Sequence, residues 1–416
     1  MALAKTFCSA PWFQTRIDWD GQYRPCCGLK ENLSKFAGRT QYSIKDTTVD
    51  EWMSSDYARY LRQELSSGTA LPECDNCWQK EKNSVKSYRQ ESNDAVTNNH
   101  GYDLDNTWVR LFVDRNLDYH NYRIMAADIK LSNVCNFTCA MCGPHNSSKV
   151  YDRWQNNLDN KFVQEQLQHQ PTLFKDIVAN YQTKRGYQHL SDILTHPLKF
   201  LKVLGGEPLL DKELFRILQD QPADKKSQIH VEMVTNGSQD LVAAADRLQG
   251  YKSVSFTVSL EGIGAIQDYV RDGSDWSVIE QNILNAKQHG WHVNIHHTIQ
   301  AMTVLNLHEL LSWCHANEIS ISFGVLDYPE YLSVSVLPDS IYTKVIDSLA
   351  CMRNIDIINS INDDELVSVD NIINLINQLP RTPEKYTKFL EYVKWFDQNS
   401  AQSLQHIQPG VIEKIN

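Results

Sequence analysis

The sequence predicts an α/β fold, with an open, TIM-like partial (β/α)6 barrel between a small cysteine-rich module and a helical extension. Short apolar strands alternate with helix-length segments from residue 127 onward, which is typical of parallel βα units. Cysteines cluster before the first of these strands, and helical periodicity dominates after residue 339. Six units are too few for a closed eight-stranded barrel. The predicted strands are 127–132, 198–204, 229–235, 253–259, 292–299 and 319–325.

The length of 416 residues suffices for a barrel and a smaller second domain. In the last part of the chain, Asp339 precedes one apolar-periodic stretch, and Thr382-Pro383-Glu384 is typical of the start of another helix. The predicted divisions are a cysteine-rich module at 1–80, a linker with a connecting helix at 81–122, the barrel at 123–328 and the helical extension at 329–416.

Polar and apolar residues alternate along the predicted strands. In 292–299, for example, Val293 and Ile295 alternate with Asn294 and His296. Crossover helices normally cover the outer face of a parallel sheet, so the apolar side chains belong there and the polar ones line the lumen. Charges in the lumen must be paired, hydrated or in contact with substrate, because burying an unpaired charge is costly. The charged residues concerned are Asp128, Lys130, Lys202 and Glu232.

Composition excludes several classes of function. The formal charge of −11, without a dense Lys/Arg run, argues against nucleic acid or anionic lipid as a partner. The sequence has no signal-peptide pattern at its start and no apolar stretch long enough for a membrane span, so we expect a cytoplasmic protein. Clustering of the ten cysteines indicates metal sites in a reducing compartment rather than disulfides.

The most informative motif is Cys135-Asn-Phe-Thr-Cys139-Ala-Met-Cys142, just beyond the first predicted strand. Three thiolates on a tight loop suit zinc or an iron–sulfur cluster, and a purely structural site would normally have a fourth protein ligand. No fourth cysteine follows nearby. The spacing therefore indicates a metal centre with one open position.

This Cys-x3-Cys-x2-Cys motif resembles the signature of the radical SAM enzymes. The resemblance implies a [4Fe–4S] cluster whose open iron binds S-adenosylmethionine (SAM), and reductive cleavage of SAM to a 5′-deoxyadenosyl radical. Later motifs follow the same order along the chain. Gly205-Gly206-Glu207-Pro208 resembles the family's GGE motif, which receives the amino group of SAM. By the same resemblance, Asn236, Ser259 and Arg271 contact the rest of SAM, and Ser259 and Arg271 hold its carboxylate.

Three further residues complete the predicted site. Thr298 or His296, at the end of the fifth strand, is expected to contact the ribose or the substrate, and His296 is the candidate catalytic side chain. Met141 stands where the family commonly has an aromatic residue against adenine, and its thioether can still cover an adenine face. Glu261 also departs from the family pattern, which frequently has aspartate after the serine of the fourth strand.

The N-terminal module carries a second motif, Cys8-x12-Gly-x4-Cys26, followed by Cys74-Asp-Asn-Cys77. The segment between Cys8 and Cys26 is predicted to form a hairpin, with strands at 12–17 and 22–25. By physics alone, a four-cysteine zinc site fits this spacing as well as a cluster does. The pattern resembles the SPASM/twitch auxiliary-cluster domains, with twitch the closer match, although those domains usually follow the barrel. The resemblance implies a second [4Fe–4S] cluster on these four cysteines, with Cys27 able to replace Cys26.

The resemblance implies a radical SAM oxidoreductase that abstracts hydrogen from a substrate. Relatives with such auxiliary domains often modify peptides, so the first expectation is a peptide or protein substrate. An external electron donor such as flavodoxin or ferredoxin would reduce the cluster. Two alternatives stay open: radical modification of a small molecule such as a sugar or cofactor precursor, and a non-catalytic zinc-binding protein.

Overall fold

The structure, a computed structural model, describes residues 4–30, 36–82, 86–97, 121–169, 184–326, 328–353, 357–358, 366–367 and 369–412. Residues 98–120, most of the predicted linker, lie outside the described residues. The strands are β1 (Gln14–Ile17), β2 (Tyr23–Arg24), β3 (Ala126–Lys130), β4 (Phe200–Leu204), β5 (His230–Thr235), β6 (Ser253–Ser259), β7 (His292–Ile299) and β8 (Ser320–Val325), and a small pair β9 (Ile357–Ile358) and β10 (Leu366–Val367).

The first eight strands form one sheet in the order β2-β1-β3-β4-β5-β6-β7-β8. The predicted α/β class is confirmed, and each of the six predicted parallel strands lies within two residues of its observed bounds. The α-helices are α1 (Ala10–Phe13), α2 (Val49–Met53), α3 (Asp56–Ser67), α4 (Asp75–Lys82), α5 (Tyr88–Thr97), α6 (Ser148–Gln155), α7 (Lys161–His169), α8 (Lys184–Ile193), α9 (Lys212–Gln219), α10 (Ala223–Lys226), α11 (Leu241–Asp246), α12 (Ala265–Val270), α13 (Trp276–Gln288), α14 (Leu307–Ala316), α15 (Asp339–Ala350), α16 (Val369–Asn377), α17 (Tyr386–Gln398) and α18 (Leu404–Ile407).

The chain divides into two compact units, and the first contains Met1–Ser132, Lys175–Met233 and Leu248–Val254. Its hairpin of β1 and β2 is antiparallel, as predicted, but Trp12 lies in α1 and the strand begins only at Gln14. Pro11 explains this start, because proline favours the first turn of a helix. The strand β1 also pairs in parallel with β3, so the hairpin extends the sheet.

Charged side chains of alternating sign stand opposite one another across four neighbouring strands of this unit. Arg16 pairs in register with Asp128, Asp128 with Lys202, and Lys202 with Glu232. We call these four residues the charged row. Arg16 forms an ion pair with Asp128, and the Lys202 ammonium lies 2.9 Å from the Glu232 carboxylate. Of the four charged residues predicted to be paired, hydrated or in contact with substrate, Asp128, Lys202 and Glu232 thus belong to this row, and each has an oppositely charged partner.

The second unit contains Asn133–Phe174, Val234–Arg247 and Ser255–Asn416. Its strands β6, β7 and β8 run parallel in consecutive order. Phe256, Val258 and Ile295 are fully buried, as expected for the apolar face of a covered parallel sheet. The predicted C-terminal helices are present as α15 to α18, and a 3-10 turn begins at Pro383, as the Thr-Pro-Glu sequence indicated.

No helix among the described residues is long and apolar enough to cross a membrane.

The turn after β4 requires glycine at Gly205. Its φ is +145°, and a Cβ there would lie 2.5 Å from the carbonyl oxygen of Ser132, closer than a real contact allows. That carbonyl also accepts a hydrogen bond of 2.8 Å from the Gly206 amide. The backbone of this turn and the end of β3 are therefore held in direct contact, with no room for a side chain.

We predict that Gly205→Ala lowers the free energy of unfolding by about 2 to 4 kcal/mol, because a disfavoured φ adds to a backbone clash. Gly250→Ala is the matched control: its φ is also positive, at +91°, but the nearest neighbour is the flexible Lys226 side chain at 3.6 Å. The control should lose only about 1 to 2 kcal/mol. Urea denaturation measures both, and equal losses would show that the contact with Ser132 is not tight.

Candidate functional site

The three-cysteine loop belongs to the second unit, where neighbouring backbone fixes its shape. Cys135 and Cys139 are buried, and Cys142 is half-buried. The amides of Thr138 and Ala140 donate to carbonyls of the segment 270–272, each at 2.8 Å. The Cys142 amide donates to the Cys139 carbonyl at 3.1 Å. The three thiols thus stand on a loop that is bonded to the segment containing Arg271.

Arg271 lies between a thiol of this loop and a buried carboxylate. Its Nη1 is 3.9 Å from Sγ of Cys139, and its Nη2 donates to Oε1 of Glu261 at 2.8 Å. The third guanidinium nitrogen, Nε, is buried, and its N–H has no hydrogen-bond partner among the described residues. A buried guanidinium with an unused donor can bind a further anion in the same place.

Glu261 holds this arginine from the end of β6. Its side chain is 0% exposed. Oε2 accepts from the Thr298 amide at 3.2 Å and from Nε2 of Gln300 at 3.4 Å. Burial raises the pKa of Glu261, whereas Arg271 lowers it. Glu261, which stands where the family frequently has aspartate, therefore has a physical role. Its carboxylate contacts Arg271, the Thr298 amide in β7 and the Gln300 side chain that follows β7.

The surroundings of the Cys139 thiol disfavour its ionisation. The pKa of Cys139 is raised by its hydrogen bond with Cys142 and by burial, while Arg271 opposes both effects. Burial lowers the pKa of Arg271, but the thiols and Glu261 outweigh it and raise the value above the usual range. Metal binding would deprotonate these thiols, and a buried cation beside them would stabilise the resulting charge.

Asn236 also reaches this loop. Its amide nitrogen lies 3.9 Å from Sγ of Cys135 and donates to Oδ1 of Asn136 at 2.9 Å. Asn236 directly follows the strand β5. Among the predicted site residues of the second unit, Asn236 and Arg271 thus each have a nitrogen 3.9 Å from a thiol of the loop.

Ser259, His296 and Thr298 lie on neighbouring strands. Ser259 ends β6 and stands in register with His296 of β7. The imidazole Nδ1 of His296 is 3.0 Å from the Ser322 hydroxyl, and the Thr298 amide donates to Glu261. The adjacent His297, which was not a predicted site residue, is fully buried, and burial lowers its pKa to about 4. His297 is therefore neutral in the ordinary pH range.

The Gly-Gly-Glu-Pro segment belongs to the first unit. Gly205 and Gly206 contact Ser132, which precedes Cys135 by three residues in sequence. Glu207 is only 2% exposed, and its carboxylate accepts from the Leu209 amide at 3.0 Å, capping the 3-10 turn that Pro208 begins. The motif thus places a buried carboxylate directly after β4.

The N-terminal cysteines converge within the first unit. Cys8 and Cys77 are buried, and Cys26 and Cys74 are half-buried. Burial, with a smaller effect of Cys77, raises the pKa of Cys8 to about 12. Burial also raises the pKa of Cys26, and Cys27, Cys8 and Cys74 raise it as well. These mutual effects show that the four thiols lie near one another.

Cys27 adjoins Cys26 and has the largest effect of any neighbouring thiol on the pKa of Cys26. Its side chain is exposed and lines a cavity of about 170 Å³ together with Arg16 and Lys202.

Within the described residues, no three His, Cys, Asp or Glu side chains are arranged to hold a single metal ion. As a donor set, the clustered thiols fit an all-thiolate iron–sulfur cluster, which spans more space than one ion.

Sequence reasoning missed the contact of α17 with the three-cysteine loop. The Tyr392 hydroxyl donates to the carbonyl of Ala140, between the second and third cysteines. Tyr392 and Trp395 also line a cavity of about 140 Å³ together with Met141 and Cys142. No motif in the predicted helical extension marked this contact in the sequence.

Two family models match parts of the chain. The model of the radical SAM superfamily matches residues 129–315, and the model of SPASM, an iron–sulfur cluster-binding domain, matches residues 8–78. The first match contains the three-cysteine loop, Asn236 and Arg271. The second contains Cys8, Cys26, Cys74 and Cys77. The auxiliary domain thus precedes the radical SAM domain, as predicted. No curated protein matches the chain.

Solved structures give distant similarities. The structure of anSMEcpe with bound AdoMet and Cp18Cys peptide is 16% identical, with 55% of this chain and 60% of that chain covered and a TM-score of 0.37. The match thus spans less than two thirds of anSMEcpe. Streptococcus suis SuiB is 11% identical, with 85% of this chain and 69% of that chain covered and a TM-score of 0.37.

The two family matches account for both groups of thiols. The radical SAM domain implies a [4Fe–4S] cluster with SAM, and the SPASM domain implies an auxiliary iron–sulfur cluster. Each group contains buried thiols that can act as ligands of such a cluster, and Arg271 lies beside the three-cysteine loop. The chain therefore contains a radical SAM domain at residues 129–315, preceded by a SPASM iron–sulfur cluster-binding domain at residues 8–78, and it is an enzyme.

Proposed function

We propose that this enzyme reductively cleaves SAM and uses the radical to abstract hydrogen from a peptide or protein. When bound, the cluster and SAM supply the electron transfer and the 5′-deoxyadenosyl radical. In this proposal Cys135, Cys139 and Cys142 hold the catalytic cluster and leave one iron open. An external donor such as flavodoxin or ferredoxin supplies the electron.

The observation that carries this proposal is the position of Arg271. It is a buried cation 3.9 Å from a thiol of the loop, it is held by Glu261, and its Nε has no partner among the described residues. In the proposal, that donor binds the carboxylate of SAM. Glu261 keeps the guanidinium in place before SAM arrives, so that little side-chain ordering is needed on binding.

Other residues are proposed to orient the cosubstrate. Glu207, already buried and anchored, complements the amino group of SAM, and the preceding glycines let the backbone approach it. Asn236 and Ser259 take the polar positions toward the rest of the molecule, and Met141 covers adenine. Gly205, Gly206 and Pro208 are proposed to shape the turn that receives SAM. Thr298 and His296 are proposed to contact the ribose or the substrate.

The auxiliary cluster is proposed to bind to Cys8, Cys26, Cys74 and Cys77. The effects of Cys8 and Cys74 on the pKa of Cys26, and of Cys77 on that of Cys8, support this grouping. Cys26 is preferred to Cys27 because Cys27 is the more exposed of the two. We further propose that residues 1–80 form the auxiliary module, 123–328 the partial barrel and 329–416 the helical extension. The peptide substrate is inferred from the SPASM domain, because the resemblance implies maturase-like substrates.

Removal of one loop thiol tests the proposed reaction. Cys139→Ala should abolish the formation of 5′-deoxyadenosine from SAM by the anaerobically reconstituted, dithionite-reduced enzyme, because the catalytic cluster loses a ligand. Chromatography of the quenched reaction measures the product. Cys314→Ala is the control, since Cys314 is also buried but lies in α14. Undiminished cleavage by Cys139→Ala would reject the assignment of the loop.

Removal of an auxiliary thiol tests the second cluster. Cys74→Ala should lower the iron content of the reconstituted protein by roughly half, because one of two clusters loses a ligand, while some SAM cleavage continues. Iron and sulfide assays measure the change. Cys351→Ala, which alters an exposed cysteine outside both groups, should leave iron content unchanged. Equal iron in the two variants would exclude Cys74 as a ligand.

The contact of α17 with the loop can be tested on a single hydroxyl. Tyr392→Phe should accelerate hydrogen exchange in residues 135–142 up to about tenfold, the effect of losing one hydrogen bond. Tyr386→Phe is a close control, because Tyr386 is equally buried on the same helix and donates to the Val411 carbonyl. Mass spectrometry of both proteins measures the exchange. The same exchange in both variants would show that Tyr392 does not hold the loop.

A further inference from the structure

The cavity beside the charged row has an acceptor and a donor with spare capacity on adjacent strands. Its walls include Arg16, Asp128 and Lys202, which share one face of the sheet, and the adjacent cysteines Cys26 and Cys27. Its volume is about 170 Å³, enough for a small polar group or part of a chain. All of these residues belong to the first unit.

Asp128 supplies the acceptor. Its Oδ2 forms the ion pair with Arg16, but its Oδ1 is buried and has no hydrogen-bond partner among the described residues. An unpartnered buried carboxylate oxygen is costly, so a donor from a ligand or from water would stabilise it. Because Asp128 lines the cavity, a ligand N–H or O–H bound there is placed to approach this carboxylate.

Lys202 supplies the donor. Within the described part of the chain, Glu232 is the one hydrogen-bond partner of its ammonium, which has three hydrogens to donate. One third of the side chain is exposed. Lys202 and Asp128 are register partners on neighbouring strands, so their backbones lie about 5 Å apart and their side chains leave the same face of the sheet. The cavity therefore presents an acceptor and a donor side by side.

We propose that this cavity binds an uncharged amide of the substrate, a peptide bond or a side-chain carboxamide. Asp128 accepts from the amide N–H, and Lys202 donates to its carbonyl. The assignment of the amide to a substrate peptide rests on the proposed function, but the binding itself does not require SAM cleavage.

The charges of the row favour an amide over an ion. Arg16 and Glu232 already neutralise Asp128 and Lys202, respectively. A carboxylate ligand would be repelled by Asp128, and an ammonium ligand would be repelled by Lys202. An amide carries both a donor and an acceptor and no net charge, so it can satisfy both side chains without repulsion.

Cys27 provides a reporter inside the same cavity. Its thiol is exposed there, so iodoacetamide can alkylate it, and peptide mapping by mass spectrometry gives its rate separately from that of other cysteines. Cys351, also exposed, reports any general effect of a probe on alkylation. A ligand seated between Asp128 and Lys202 should slow the alkylation of Cys27 alone.

The experiment uses the reconstituted full-length protein and three probes: N-acetyl-alanine N-methylamide, acetate and methylammonium. We expect saturable protection of Cys27 by the amide and none by the two ions. Equal protection by acetate or methylammonium, or none by the amide, would overturn the proposal. Because the readout is alkylation, protection without SAM cleavage would reject the proposed function and leave the amide site standing.

A substitution in the row sharpens the test. Lys202→Met keeps most of the side-chain length and removes the donor, so the half-protecting concentration of the amide should rise roughly tenfold. Lys199→Met is the control, because Lys199 precedes β4 and bonds to Gln228 outside the row. Unchanged protection in Lys202→Met would overturn the role of Lys202. If that variant does not fold, the comparison of the three probes on the unsubstituted protein still decides.

Discussion

The buried ion pair of Glu261 and Arg271 is the interaction on which the candidate site depends. Both side chains are largely excluded from water, and removing one partner of such a pair usually costs about 3 to 5 kcal/mol, because the other charge is left uncompensated. The pair places a guanidinium beside Cys139, and Glu261 also receives the Thr298 amide. The end of β6, the loop of thiols and β7 are thereby joined through one carboxylate.

Elements outside the sequence motifs support each group of thiols. In the second unit, α17 contacts the loop through Tyr392, so the helical extension contributes to the site as well as to the core. In the first unit, the charged row gives the sheet a polar face that is neutral overall, and Cys26 and Cys27 both line the cavity beside it.

Local patterns predicted the strands well, because the alternation of polar and apolar residues is a property of neighbouring residues in sequence. They also predicted the hairpin and the helix that follows Pro383. What they could not predict were contacts between distant segments: the pairing of β1 with β3, the ion pair of Glu261 and Arg271, and the packing of Tyr392 against Ala140. Glu261 stood out in sequence only as a departure, and its role required the position of Arg271 in space.

The central claim is that Cys135, Cys139 and Cys142 hold a cluster with one iron open to SAM. Electron paramagnetic resonance of the reduced, reconstituted enzyme, recorded with and without excess SAM, tests it most directly. The account predicts that SAM changes the spectrum of one cluster and leaves that of the auxiliary cluster unaltered. A spectrum unaffected by SAM, or a colourless protein that binds zinc at this loop, would contradict it.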